Sequence, residues 1–181
     1  MIIQVSRTKF SVKGYDKTTL NEIVEELGMT RGALYHHFSN KEDLFYTVLE
    51  EVQQELGRKV EAKAMTSSDL WEQLVLGCIA YVESAIDSKV SRILLIDGPV
   101  VLSWNEWKSM DSQNSEQLLV EILSELRHAN QLKEVNIAYS ARFISGGLNE
   151  LALTLSDTDN INHDEVNHAI RILLGGLRNH G

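Results

Sequence analysis

Between Thr19 and Leu44 the sequence leaves the backbone little choice, and its tightest part is Met29 to Phe38, MTRGALYHHF. Thr19 is suited to cap a helix whose third residue, Glu22, reaches back to it, and Leu20, Ile23, Val24 and Leu27 fall on one face of that helix. Gly28 suits the left-handed turn that ends it, and Thr30 caps a second helix predicted from Arg31 to about Phe38. Two helices joined by a tight Gly-containing turn form a helix-turn-helix. Ser39 and Glu42 repeat the capping pattern, so a further helix starts near Asn40 or Lys41 and leaves the second helix about two turns long. A helix that short is not stable alone, so its neighbours must hold it.

The residues Phe10, Gly14-Tyr15, Thr18-Thr19, Ile23, Leu27-Gly28, Gly32 to Phe38 and Lys41 to Leu44 stand in an order that a bare helix-turn-helix does not require. On these residues the chain resembles the N-terminal DNA-binding domain of the TetR family of bacterial transcriptional regulators. The likeness covers roughly the first quarter of the chain in detail and is looser beyond it. The sequence begins almost at the first helix, so the polar arm that often precedes it in the family is not expected to add a minor-groove contact.

The 43% apolar residues suffice for an ordinary core in 181 residues, and one Pro, 11 Gly and few alternating β-branched runs favour an all-α protein. The single cysteine, Cys78, rules out an intrachain disulfide framework and gives no zinc spacing. Neither end reads as a signal peptide, and no apolar run approaches the roughly 18 residues of a membrane span, so a cytoplasmic location is expected. A net charge of −9 argues at first against a nucleic-acid partner. Its distribution changes that reading. Residues 1–48 carry six basic and six acidic side chains, so the remaining chain holds the whole excess.

The first helix is expected over residues 2–13, with Ile2, Ile3, Val5, Ser6, Phe10 and Val12 as candidate inward positions. A long helix from Lys41 to about Ala64, apolar at Leu44, Phe45, Val48, Leu49, Val52, Leu56 and Val60, reads as the strut between a reading head and a body. Further helices are predicted from about Leu70 to Ile86 after a cap at Ser67 or Ser68, and from Ser88 to Asp97, where Asp97-Gly98-Pro99 breaks the chain. Others are expected over Ser115 to about Asn130, about Asn136 to Leu155 and about His163 to Arg178. The glycine pairs Gly146-Gly147 and Gly175-Gly176 cost about 1 kcal/mol per residue in a helix interior, which close helix approach would justify. The division expected is residues 1–47, a three-helix helix-turn-helix domain, and residues 48–181, a helical ligand-binding and dimerisation domain.

A recognition helix places small or polar residues toward base edges near its N-terminus and donors toward phosphates beside it. Arg31 is the long side chain in the first turn able to make a bidentate contact with guanine, or else a phosphate contact. Gly32 and Ala33 let the backbone approach the groove floor, with Ala33 against a thymine methyl, or simply pack the two helices together. Tyr35 and His36 lie where family members contact DNA, while Leu34 and Phe38 read as core. Thr18 and Thr19, Thr30 and Lys41 stand at helix starts, where hydroxyl or ammonium groups and free amides bind phosphate, capping being the alternative role of the threonines.

Catalytic and metal chemistry find no such pattern. His36 and His37 are neighbours on a helix and point about 100° apart, too far to share an ion. His163 and His168 are no better spaced, and no Gly-rich phosphate loop, nucleophile elbow or helical His-Glu-x-x-His pattern occurs. No cofactor is expected.

Leu95 to Trp104 with Trp107 is similar to a stretch in the ligand-binding bodies of some TetR regulators. The resemblance implies a homodimer paired through the last two helices, a double-stranded DNA operator and a small-molecule effector of unknown identity. Trp71, Cys78, Tyr81, Trp104, Trp107 and Phe143 are the candidate ligand-binding residues, since aromatic groups offer large contact area, though they also suit a core. The function implied is a ligand-responsive repressor on a palindromic operator. An activator without an inducer, or a helical interaction protein that keeps the fold without binding DNA, are the alternatives.

Overall fold

A computed structural model describes residues 1–179, apart from the side chains of residues 111 and 112. The N-terminal part comprises α1 (Ile2–Lys13), α2 (Leu20–Leu27), α3 (Arg31–Tyr35) and the start of α4 (Lys41–Ala64). The remainder comprises α5 (Leu70–Ala85), α6 (Ser88–Ser91), a π-helical segment Arg92–Asp97, α7 (Gly98–Val101), α8 (Trp104–Gln113), α9 (Ser115–His128), α10 (Ile137–Ser156) and α11 (His163–Gly175). Among the described residues the only β pairing is an isolated antiparallel bridge between Leu132 and Arg178. No helix among them is long and apolar enough to cross a membrane.

The local signals act much as the sequence dictates. Thr19 and Glu22 form the reciprocal capping box of α2, and Gly28 ends that helix at φ 62° while Met29 N–H donates to the Val24 carbonyl. Phe10, Ile23, Leu44 and Phe45 are buried in the core of the head, with Phe45 edge-on to both Phe10 (5.2 Å) and Tyr15 (5.1 Å), and Leu34 is buried from α3, which packs on α2. This packing supplies what the short α3 lacks. Val12 is exposed, and Ser11 takes an inward place on α1 instead.

Helices α4 and α5 start where predicted, but two caps, one helix end and one break differ from expectation, and α11 ends at Gly175 rather than Arg178. Helix α3 stops at Tyr35 rather than Phe38, because His37 and Phe38 both bond back to the Leu34 carbonyl. The cap of α4 is Asn40, accepting from Asp43 N–H at 2.8 Å, one residue beyond the Ser39 and Glu42 pair. The cap of α5 is Asp69, accepting from Glu72 N–H at 2.8 Å, rather than either serine. Asp97-Gly98-Pro99 does not break the helix. Pro99 falls in the first turn of α7, directly after the π segment. The Leu94 carbonyl in the wide π segment accepts from the indole of Trp107 at 2.9 Å. Helix α8 was not anticipated; its sequence is mostly polar.

Helix α5 is apolar nearly all round and runs through the centre of the body, touching α4, α9, α10 and α11. Helix α4 passes unbroken through residues 47 and 48, and one apolar cluster extends from Phe10 to Leu174. The two parts also meet where Gly14, at φ 81°, lets the chain turn beside Arg92 and Tyr15 N–H donate to Asp97 Oδ2 at 2.8 Å. A Cβ on Gly14 would lie 2.7 Å from Arg92 Nη1.

Candidate nucleic-acid interface and effector cavity

Helix α3 lies on the surface with Leu34 as its buried anchor, and Arg31, Gly32, Tyr35 and His36 are exposed around it. Arg31 Nε donates to Asn21 Oδ1 of α2, which steadies the stem of the side chain and leaves the Nη groups outside that bond. Ala33 is half-buried, and its N–H donates to Thr30 Oγ1 at 3.2 Å, so Thr30 is the cap of α3. Thr19, also exposed, spends its oxygen as an acceptor for Glu22 N–H and keeps its hydroxyl proton.

Thr18 and Lys41 do not sit as expected. Thr18 is fully buried and its hydroxyl donates to the Gly14 carbonyl at 2.8 Å, so that group holds the loop after α1 rather than a phosphate. Lys41 Nζ donates to the carbonyls of Tyr15 (2.9 Å) and Thr18 (3.2 Å) and lies 4.0 Å from the Tyr15 ring centroid. One of the three ammonium protons remains for an outside acceptor. Asn21 and Asn40 were missed by sequence reasoning; the Asn40-x-x-Asp43 pattern was there to find the second.

In the body, α4, α5, α9 and α10 line a cavity of about 130 Å³ that opens to the surface. Leu74, Leu119, Ile122 and Leu148 give it apolar walls, and of the six candidate ligand residues Cys78 and Tyr81 line it. Burial pushes the Cys78 thiol up to about 12, so it is a neutral wall group rather than a nucleophile. The Tyr81 hydroxyl bonds to Asn149. The other four candidates lie elsewhere. Trp71 is buried under the Arg178 guanidinium, and Trp107 is buried with its indole bonded to Leu94. Trp104 is exposed, and Phe143 is 82% exposed on the outer face of α10. Period and residue type marked these side chains as apolar, but could not say on which side of a helix another helix would pack. Among the described residues no group of three or more His, Cys, Asp and Glu is placed to hold a metal ion.

An exposed helix of a helix-turn-helix, carried on a strut that continues into a hollow helical body, defines the class as a two-part DNA-binding regulator. Residues 2–48 match the family model "Bacterial regulatory proteins, tetR family", and residues 71–177 match "Tetracyclin repressor-like, C-terminal domain". The chain belongs to the TetR family. It is 26% identical over 155 residues to the transposon Tn10 TetC protein of Escherichia coli, covering 84% of this chain and 77% of that one. It is 34% identical over 95 residues to the regulator AcrR of Shigella flexneri, covering 52% of this chain and 44% of AcrR. A TetR-family transcriptional regulator of Pectobacterium atrosepticum superposes with a TM-score of 0.77 at 28% identity, over 98% of this chain and 92% of that one. The fold is shared at 17% identity and a TM-score of 0.79 by the transcriptional regulator FadR of Bacillus subtilis, solved in complex with stearoyl-CoA, over 96% and 95% of the two chains. The protein is a DNA-binding transcriptional regulator, not an enzyme.

Proposed function

We propose that the protein is a ligand-responsive repressor that binds a palindromic operator as a homodimer, with residues 1–47 as the reading head and 48–181 as the sensing and pairing body. The observation that carries this reading is the display of α3, which exposes Arg31, Gly32, Tyr35 and His36 on one surface while Leu34 anchors it. Arg31 reads a guanine edge, Ala33 and Gly32 allow close approach, and Tyr35, His36, Thr19 and Thr30 with the spare proton of Lys41 hold phosphates.

Pairing through α10 and α11 is supported by the outer faces of those helices. Tyr139, Phe143, Ile172 and Leu173 stand exposed there, an apolar surface of the kind that marks an interface. Among the described residues nothing lies within 4 Å of a Cβ placed on Gly146 or Gly147, so close approach among them does not require glycine there. A second copy packed against α10 would supply that approach. The apolar cavity supports the ligand response, as does the stearoyl-CoA complex of FadR, which shares the fold, and a ligand there would alter the separation of two heads.

The test is selection of bound DNA from a random duplex pool, with the mass of the protein measured alongside. A recovered palindrome bound by a dimer, with affinity falling steeply as salt rises, is expected. A monomer, or a pool with no enriched sequence in the presence and absence of cell extract, would overturn the reading.

A further inference from the structure

Charge around the body cavity says what kind of molecule it would take. Leu74, Leu119, Ile122 and Leu148 make its interior apolar, and its mouth carries three carboxylates: Glu61 from α4, with Glu121 and Glu125 one turn apart on α9. All three are exposed, and Glu121 is held by a 2.8 Å bond from Gln117 Nε2. No Lys, Arg or His is among the described lining residues. At about 130 Å³ the hollow compares with engineered cavities of about 150 Å³ that take up benzene. A ring or short branched group therefore fits inside while a charged headgroup stays at the mouth. An anionic head there would face three like charges with no counter-ion, whereas a cation gains from all three.

We infer that this cavity binds a small hydrophobic cation, an aromatic or branched amine or quaternary ammonium, with the apolar part seated against Leu119 and Leu148 and the cation among Glu61, Glu121 and Glu125. This rests on the cavity being the effector site proposed above. The selectivity comes from the rim and the affinity from the walls. Exposed ion pairs contribute little singly, so three together favour the cation over an anion of the same size by about tenfold at low salt.

The experiment is direct titration of the full-length protein with benzyltrimethylammonium, benzyl alcohol and phenylacetate, by calorimetry and ligand-detected NMR. The cation is expected to bind about tenfold tighter than phenylacetate, a gap that narrows as salt rises. The variant E61Q/E121Q/E125Q is expected to shrink the gap to about threefold or less with benzyl alcohol unaffected, because its substitutions remove charge and leave the walls intact. Leu119→Trp, which fills the hollow, is expected to abolish binding of all three. Equal or tighter binding of phenylacetate, a gap that survives the triple variant, or cation binding that survives Leu119→Trp would each overturn the proposal. Release of DNA is read separately. A cation bound in the cavity with operator affinity unmoved would overturn the ligand-response reading and leave the ligand class standing.

Discussion

The two ends of α4 do different work. At its start Lys41 ties two loop carbonyls and Phe45 packs on Phe10 of α1 in the core of the head, while the functional surface is displayed outward. At its end Val60 and Ala64 wall a hollow sunk between helices and open at one mouth. In the head the functional side chains are those the core does not use. In the body they are core positions left incompletely filled. A displayed site survives changes in its side chains with the fold intact; a sunken one shares its residues with the packing.

The largest expected effect tests whether the two regions are separable. Phe45→Ala removes a fully buried ring and should cost about 3–5 kcal/mol. Because the three tryptophans, Trp71, Trp104 and Trp107, all lie in the body, their fluorescence reports that part alone while circular dichroism reports both. The shared α4 and continuous apolar cluster lead us to expect both signals to shift together in urea. A dichroism change that precedes the fluorescence change would show a head that melts independently.

Next comes the contrast between Arg31 and Lys41. Arg31→Ala is expected to weaken operator binding by about 1–3 kcal/mol, mostly at one base position, with stability within about 0.5 kcal/mol of the parent. Lys41→Ala should lose about 1–3 kcal/mol of stability through its two charge-assisted bonds, and should also lower the salt slope of DNA binding by about one. A Lys41 variant as stable as the parent would put this side chain back among purely displayed groups. Paired unfolding and binding curves at several salt concentrations separate the two outcomes.

Smaller still, Asn40→Ala removes the cap of α4 and should cost about 1 kcal/mol, read as a lower midpoint in urea. Asn40→Asp should restore most of it.

The smallest expected effect is a pH dependence. Glu55 lies between Lys59 and Arg7, whose hydrogen bonds hold its carboxyl down at about 2. A depressed carboxyl stabilises the fold fully above its unfolded value of about 4.3 and loses that contribution as pH falls toward 2. Solvent screening limits it to at most about 1 kcal/mol. Glu55→Gln should therefore lower stability at pH 6 and flatten its fall between pH 4.5 and 2, as followed by urea unfolding across that range. An unchanged acid limb would show the pair to be neutral, and with it the join between α1 and α4.

Much of the head was legible because its determinants are close in sequence. The Thr19 to Glu22 box, the left-handed Gly28 and the Thr30 cap each act within four residues, and they fix where α2 ends and α3 begins. The same short range explains the error at Ser39, where two overlapping capping patterns were on offer and Asn40 prevailed. Legibility failed where a side chain's partner lies far along the chain. Thr18 looked like a phosphate ligand from its position, and only the folded loop after α1 showed its bond to the Gly14 carbonyl and the second, structural task of Lys41 on the Tyr15 and Thr18 carbonyls.

The sequence by itself determined the all-α class, the helix-turn-helix and most helix spans, since periodicity, capping and left-handed turns are set by neighbours within about one helical turn. Tertiary structure alone decided that Cys78 and Tyr81 face a cavity while Phe143 faces outward, and that glutamates from α4 and α9 meet at one mouth. An apolar period marks a side chain for burial without naming what will cover it. That choice belongs to the packing of helices far apart in the chain.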